Sequence, residues 1–72
     1  MNVKFNNVGR GKKTWSAKCK GEVSYKWLYR QVKKHGGIMS RDIDFSDDGG
    51  IYVGGFRRVG DFLVVDATGE RA

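Results

Sequence analysis

One stretch of this chain carries helical periodicity, and the segments on either side of it do not. Tyr25, Leu28, Tyr29 and Val32 fall at i, i+3, i+4 and i+7, an apolar stripe at the spacing of one helix face. Val23 and Trp27 widen the stripe on one side, and Lys26, Arg30, Lys33 and Lys34 occupy the other. Gly21 and Glu22 open the predicted helix. Lys33, Lys34 and His35 complement the dipole of its last turn, and Gly36-Gly37 supplies a left-handed stop. The flanking segments alternate with period two and are punctuated by eleven glycines and no proline, so they read as strands.

Before the helix, Val3 and Phe5 alternate with Lys4 and Asn6. The turn Asn7-Val8-Gly9-Arg10-Gly11 leads into a second alternation, with Trp15, Ala17 and Cys19 on one face and Lys12, Thr14, Ser16, Lys18 and Lys20 on the other. Beyond the helix, Ile38 and Met39 lead into Ile43 and Phe45, and Asp47-Asp48-Gly49-Gly50 forms an Asp-Gly hairpin turn. Ile51 and Val53 return on the core side, Gly54-Gly55 marks a bulge or bend, and Phe56 to Val59 continue the strand. Gly60-Asp61 then turns the chain into a final buried strand, Phe62 to Val65, and residues 68–72 fray. The expected fold is α+β in the order β-β-α-β-β-β, one antiparallel sheet with a single helix packed on one face. With 72 residues, 1–72 makes one domain with a small core.

Catalytic groups are sparse. The chain has one histidine and one cysteine, neither in a nucleophile signature, and Cys19 is expected to face the core beside Trp15 and Ala17. His35 reads as a cationic helix end. Gly11-Lys12-Lys13-Thr14 lacks the Gly-Lys-Ser/Thr order, and the following helix, of a phosphate-binding loop. Asp44 to Ile51 places oxygens as a calcium loop does, but Gly55 stands where a bidentate glutamate is required, and a hairpin turn accounts for the same residues. No enzyme activity, metal or cofactor is expected. No apolar run reaches the roughly 18 residues of a membrane span, and Met1-Asn2-Val3-Lys4 does not start a signal peptide, so a cytoplasmic protein with no membrane partner is expected.

Charge is the more informative feature. Residues 1–41 hold eight lysines and three arginines against Glu22 alone, +10, while residues 42–72 sum to −4, for the net +6 of the chain. Such a split points to a half that faces an anionic partner. The expected contact residues are Arg10, Lys12 and Lys13 at the hairpin tip, Lys18 and Lys20 along the strand, and the Arg57-Arg58 pair; Lys26, Arg30, Lys33 and Lys34 on the helix are secondary candidates. Arg10, Lys12 and Lys13 rank first because they crowd a glycine-rich turn where no local charge offsets them. The sheet's outer face and the helix's outer face lie on opposite sides, so the two lysine groups are not expected to meet one duplex.

In format, a chain that opens at Met1, folds as one compact α+β domain, has no catalytic kit and carries many surface charges resembles the small proteins of phages and mobile elements, anti-CRISPR inhibitors among them. That resemblance implies a non-enzymatic inhibitor that acts in the host cytoplasm by occupying a surface of a nucleic-acid-processing protein complex, with nucleic acid as a further possible contact. Many such inhibitors are acidic mimics of DNA, a mechanism from which the charge of +6 departs. The competing expectation is direct, largely sequence-independent DNA or RNA binding by the basic hairpin and helix.

Overall fold

The computed structural model describes residues 1–65; the fraying expected of 68–72 lies outside them. In chain order the elements are β1 (Asn2–Val8), β2 (Lys13–Lys18), α1 (Tyr25–His35), β3 (Ile43–Phe45), β4 (Gly50–Val53) and β5 (Arg57–Val65). The strands form one five-stranded sheet in the order β2-β1-β5-β4-β3, and every neighbouring pair is antiparallel. β5 therefore sits at the centre, between the β1–β2 hairpin and the β3–β4 hairpin, and α1 connects the two edge strands.

The inward faces of the strands and one face of α1 make the core. Val3, Phe5 and Val8 of β1, Ile43 of β3, Ile51 of β4, Leu28 and Val32 of α1, and Ile38 after it are all buried. Phe5 is fully covered and stacks on Trp15, ring centroids 4.6 Å apart and planes 11° from parallel. Of the four-residue helical stripe, Leu28 and Val32 are buried and Tyr29 half-buried, while Tyr25 is exposed and turns its hydroxyl to donate to the carbonyl of Ile43. Burial first, then the nearby Asp44 charge, raises the Tyr25 pKa above its ordinary value, which keeps the phenol protonated as that donor. Cys19 is buried, as its place in the alternation requires.

Three sequence expectations need correction. The helix begins at Tyr25, not at Gly21-Glu22, because Ser24 is its N-cap: extended at φ −109, it accepts the Trp27 N–H on its side-chain oxygen at 3.2 Å. At the other end the Gly36 N–H still donates to Val32 at 2.8 Å, and the left-handed residue is Gly37 alone, at φ +70.

The second correction exchanges the roles of two glycine sites. Gly54 and Gly55, at φ +68 and +84, are the β4–β5 hairpin turn itself together with Phe56. Gly60-Asp61 does not turn; it lies inside the single strand β5, where Val59 is the extra residue of a bulge opposite Ile51 and Tyr52. Glycine is needed at 60 for space, since a Cβ there would come within 2.9 Å of a Val8 methyl and 3.0 Å of the Val8 Cα. Third, the final stretch from Phe62 to Val65 is not fully buried: Phe62, Val64 and Val65 are half-buried and Leu63 is exposed.

Candidate functional site

The predicted contact residues separate into two clusters at opposite ends of β2, about 17 Å apart by the rise of five strand residues. The first is a groove at the hairpin-tip end. It is lined by Arg10 and Lys12 from the β1–β2 turn, by Gly37 to Ser40 after α1, and by Val53 and Arg57 to Asp61 from the β4–β5 side. Lys13 belongs to the same end, because its side chain lies across Gly37, with Nζ 3.7 Å from where a Cβ would stand. Residues 47 positions apart in sequence thus meet because β5 pairs directly with β1, bringing Arg57 and Arg58 beside the turn that follows Val8. The Gly9 N–H closes that junction with a 2.9 Å bond to the carbonyl of Val59.

The four cations of this groove are not equivalent. Arg58 is occupied: its Nε donates to Asp61 Oδ1 at 3.0 Å, its terminal nitrogen bonds the same carboxylate, and Asp48 stands 3.9 Å away. Its guanidinium also lies over the Tyr52 ring, 5.9 Å from the centroid. The hydrogen bond that it donates to Asp61 is the main reason its pKa is held above the ordinary arginine value. Asp48 is held below the usual carboxylate range, first by the Ser46 hydroxyl, then by the Gly50 N–H, with Arg58 a lesser cause. Arg58 is thus tied to Asp61 of its own strand and stands near Asp48 of the β3–β4 turn, its side chain still 47% exposed. Arg10, Lys12 and Arg57 have no carboxylate partner among the described residues. Met39 lines the groove beside them, 89% exposed.

The floor of the groove is held by Lys33. Its ammonium reaches back from the last turn of α1 to the carbonyls of Ile38 at 3.1 Å, Met39 at 3.3 Å and Ser40 at 3.4 Å. Sequence periodicity places Lys33 on the solvated helix side; the structure gives it a structural role instead, because three orphan carbonyls of the loop beyond the helix converge on it. We expect Lys33→Met, which keeps the stem and removes the charge, to cost about 1 kcal/mol, or a few degrees of melting temperature. Amide exchange should rise at residues 38–40 while the β1–β5 amides stay protected. Unchanged exchange in that loop would assign Lys33 no more than a surface role.

The second cluster borders a cleft between the end of β2 and the start of α1. Lys18 and Lys20 meet Lys26 and Arg30 there, with Trp27 as an apolar wall and Glu22 as the acid present. The expected separation of strand lysines from helix cations is thus corrected: β2 is an edge strand, and the chain leaves it towards the first turn of the helix, so Lys20 lands beside Lys26. Lys34 is exposed on α1 and lines neither cluster.

Among the described residues no three His, Cys, Asp or Glu side chains stand together as a metal site, and no helix is long and apolar enough to cross a membrane. The arrangement defines an antiparallel sheet covered on one face by a helix, with charge-bearing grooves at both ends of one edge strand. Compared with protein-family models, with curated proteins and with solved structures, the chain matches none.

Proposed function

We propose that the protein is a non-enzymatic binding module that docks on a protein component of a nucleic-acid-processing complex, an inhibitor of the kind phages carry against a host defence machine, acting in the cytoplasm. The observation that carries this reading is the hairpin-tip groove. Three cations without a carboxylate partner among the described residues, Arg10, Lys12 and Arg57, converge there from distant parts of the chain around an exposed methionine. Cations alone would suit bare phosphate. An apolar side chain set among them suits a protein surface that is acidic with an apolar centre, since interface affinity concentrates on a few desolvated anchors.

The alternative, direct and largely sequence-independent DNA or RNA binding, is favoured by the succession of Lys12, Lys13, Lys18 and Lys20 along β2. The two readings separate by experiment. The triple variant R10E/K12E/K13E should fold yet lose its partner in a pull-down from nuclease-treated host lysate, a loss of about 2 kcal/mol or more, roughly 30-fold. The control K26E/R30E/K34E, which spares Lys33, should retain it. A helix variant that loses the partner while the tip variant keeps it would place the interface elsewhere. A gel shift that weakens steeply between two salt concentrations, with nothing captured after nuclease treatment, would favour the nucleic-acid reading.

A further inference from the structure

The two edges of the sheet are not alike. On β3, the ladder to β4 runs through Asp42 and Ser46, whose backbone groups bond Gly54 at 3.0 Å and Gly50 at 3.0 Å. By alternation, the backbone groups of Ile43 and Phe45 face outward. That edge is short, three residues, and the Tyr25 hydroxyl of α1 already occupies the Ile43 carbonyl. Of its outward groups, the Ile43 carbonyl is thus already taken.

β2 is the opposite case. Met1 and Cys19 form a doubly bonded pair, Cys19 N–H to Met1 at 2.8 Å and the Met1 amino group to the Cys19 carbonyl at 3.0 Å. The register Val3↔Ala17 and Phe5↔Trp15 continues that pairing, so the N–H and C=O groups of Thr14, Ser16 and Lys18 point away from the sheet. None of these six groups has a partner among the described residues. Lys12 and Lys13 stand at one end of this open edge, Lys18 and Lys20 at the other, and Lys26 and Arg30 flank it from the helix.

We propose that the open edge of β2 is a docking site for an extended, acidic segment of a partner protein, which adds a sixth strand beside Thr14–Lys18. Main-chain bonds to the three outward residues supply the register. The cations around the edge select carboxylate side chains, against which Glu22 is the nearby acid. A second copy of this chain does not fit. Its β2 would bring a second set of lysines alongside the first, and its β3 offers three residues with one outward carbonyl already taken. Lysine on an edge also serves to keep like edges apart; that function is compatible with capture of an acidic strand, since charge repels the one and attracts the other. This surface adjoins the hairpin-tip groove at Lys12 and Lys13 but rests on main-chain groups of β2 that the groove does not use.

The test titrates the isotopically labelled protein with a blocked heptapeptide of alternating Glu and Val, following backbone amides by NMR. Saturable shifts should be largest at Thr14, Ser16 and Lys18. Ser16→Pro removes an outward N–H at an edge position where proline is tolerated, and should weaken binding about tenfold or more. Lys18→Glu should weaken it as well, whereas K34E, at a helix position that lines neither cluster, should leave it within about twofold. Should Ser16→Pro fail to fold, the wild-type protein titrated with the same peptide N-methylated at its Glu residues, which share the lysine face and so bond Thr14, Ser16 and Lys18, gives the same answer from the ligand side, with binding lost. Absence of saturable shifts, shifts centred elsewhere, equal binding by the lysine counterpart of the peptide, or full binding of the N-methylated peptide would each overturn the proposal. So would a duplex oligonucleotide that saturates the same amides while the peptide does not, which would make the edge a phosphate surface.

Discussion

Phe5→Ala should cost the domain a large share of its stability, lowering its melting temperature by roughly 12 °C or more. The Phe5 ring is fully covered and lies where three elements meet: stacked on Trp15 of β2, tilted against Trp27 of α1 with centroids 6.2 Å apart, and held on β1 opposite Phe62 of β5. Truncating a buried phenylalanine costs about 3–5 kcal/mol, transfer and cavity together. A chain of this length has a total stability of roughly 4–11 kcal/mol. The two large rings beside Phe5, one stacked and one tilted, are tied to separate elements, so neither can swing in to fill the space. Circular dichroism should show the sheet signal of Phe5→Ala melting roughly 12 °C or more below that of the wild type. Phe5→Leu should fold and cost less, and near-wild-type melting of Phe5→Ala would mean that the core is not organised around this ring.

Gly9→Ala should be nearly as damaging, for a reason of space and not of burial. Gly9 has φ +74, and a Cβ there would stand 2.6 Å from the carbonyl oxygen of Gly36. Left-handed backbone costs an alanine about 1–2 kcal/mol. The contact is with main chain at the end of α1, so relief requires moving either the hairpin turn or the helix stop. Both carry the groove: Arg10 follows Gly9, and residues 37–40 follow Gly36. The expected result is a melting temperature lower by about 10 °C or more, with amide shifts spreading over Arg10, Lys12 and Gly37 to Ser40. Gly11→Ala is the control, because its Cβ would meet only the Lys13 stem at 3.6 Å. Equal stability of the two variants would show that the turn and the helix end are not in close contact.

Local chemistry in the chain is readable where one physical signal acts alone. The stripe from Tyr25 to Val32, the period-two faces of β1 and β2, and the Asp-Gly turn at 47–50 each follow from side-chain spacing or turn preference without reference to distant residues. The errors arise where two explanations share one residue type. A glycine required for positive φ and a glycine required because Val8 stands close look identical in sequence, which is why the turn at Gly54-Gly55 and the strand at Gly60 are exchanged. Glu22 and Ser24 both offer a helix start, and the hydrogen bond from Trp27 decides between them.

Of the candidate site, the hairpin tip is visible as a charge cluster at a turn, but its neighbours are not. That Arg57 joins Arg10 depends on the β1–β5 pairing, and that Arg58 is neutralised depends on Asp48 and Asp61 lying within reach of one guanidinium. Lys33 had no signal at all in periodicity, since its role is to bind carbonyls of a loop whose path the helix pattern does not describe.

The central position of β5 has a consequence for how the chain comes into being. Residues 57–65 supply the whole seam between the N-terminal and C-terminal hairpins, so neither hairpin has a neighbour on its inner side until that segment is made. A nascent chain on the ribosome therefore carries two hairpins with bare inner edges and half a core, open to pairing with other nascent chains. At about 5–20 residues per second the interval between completing β4 and completing β5 is on the order of a second. Sheet and core can therefore close only once β5 is present to join the two hairpins.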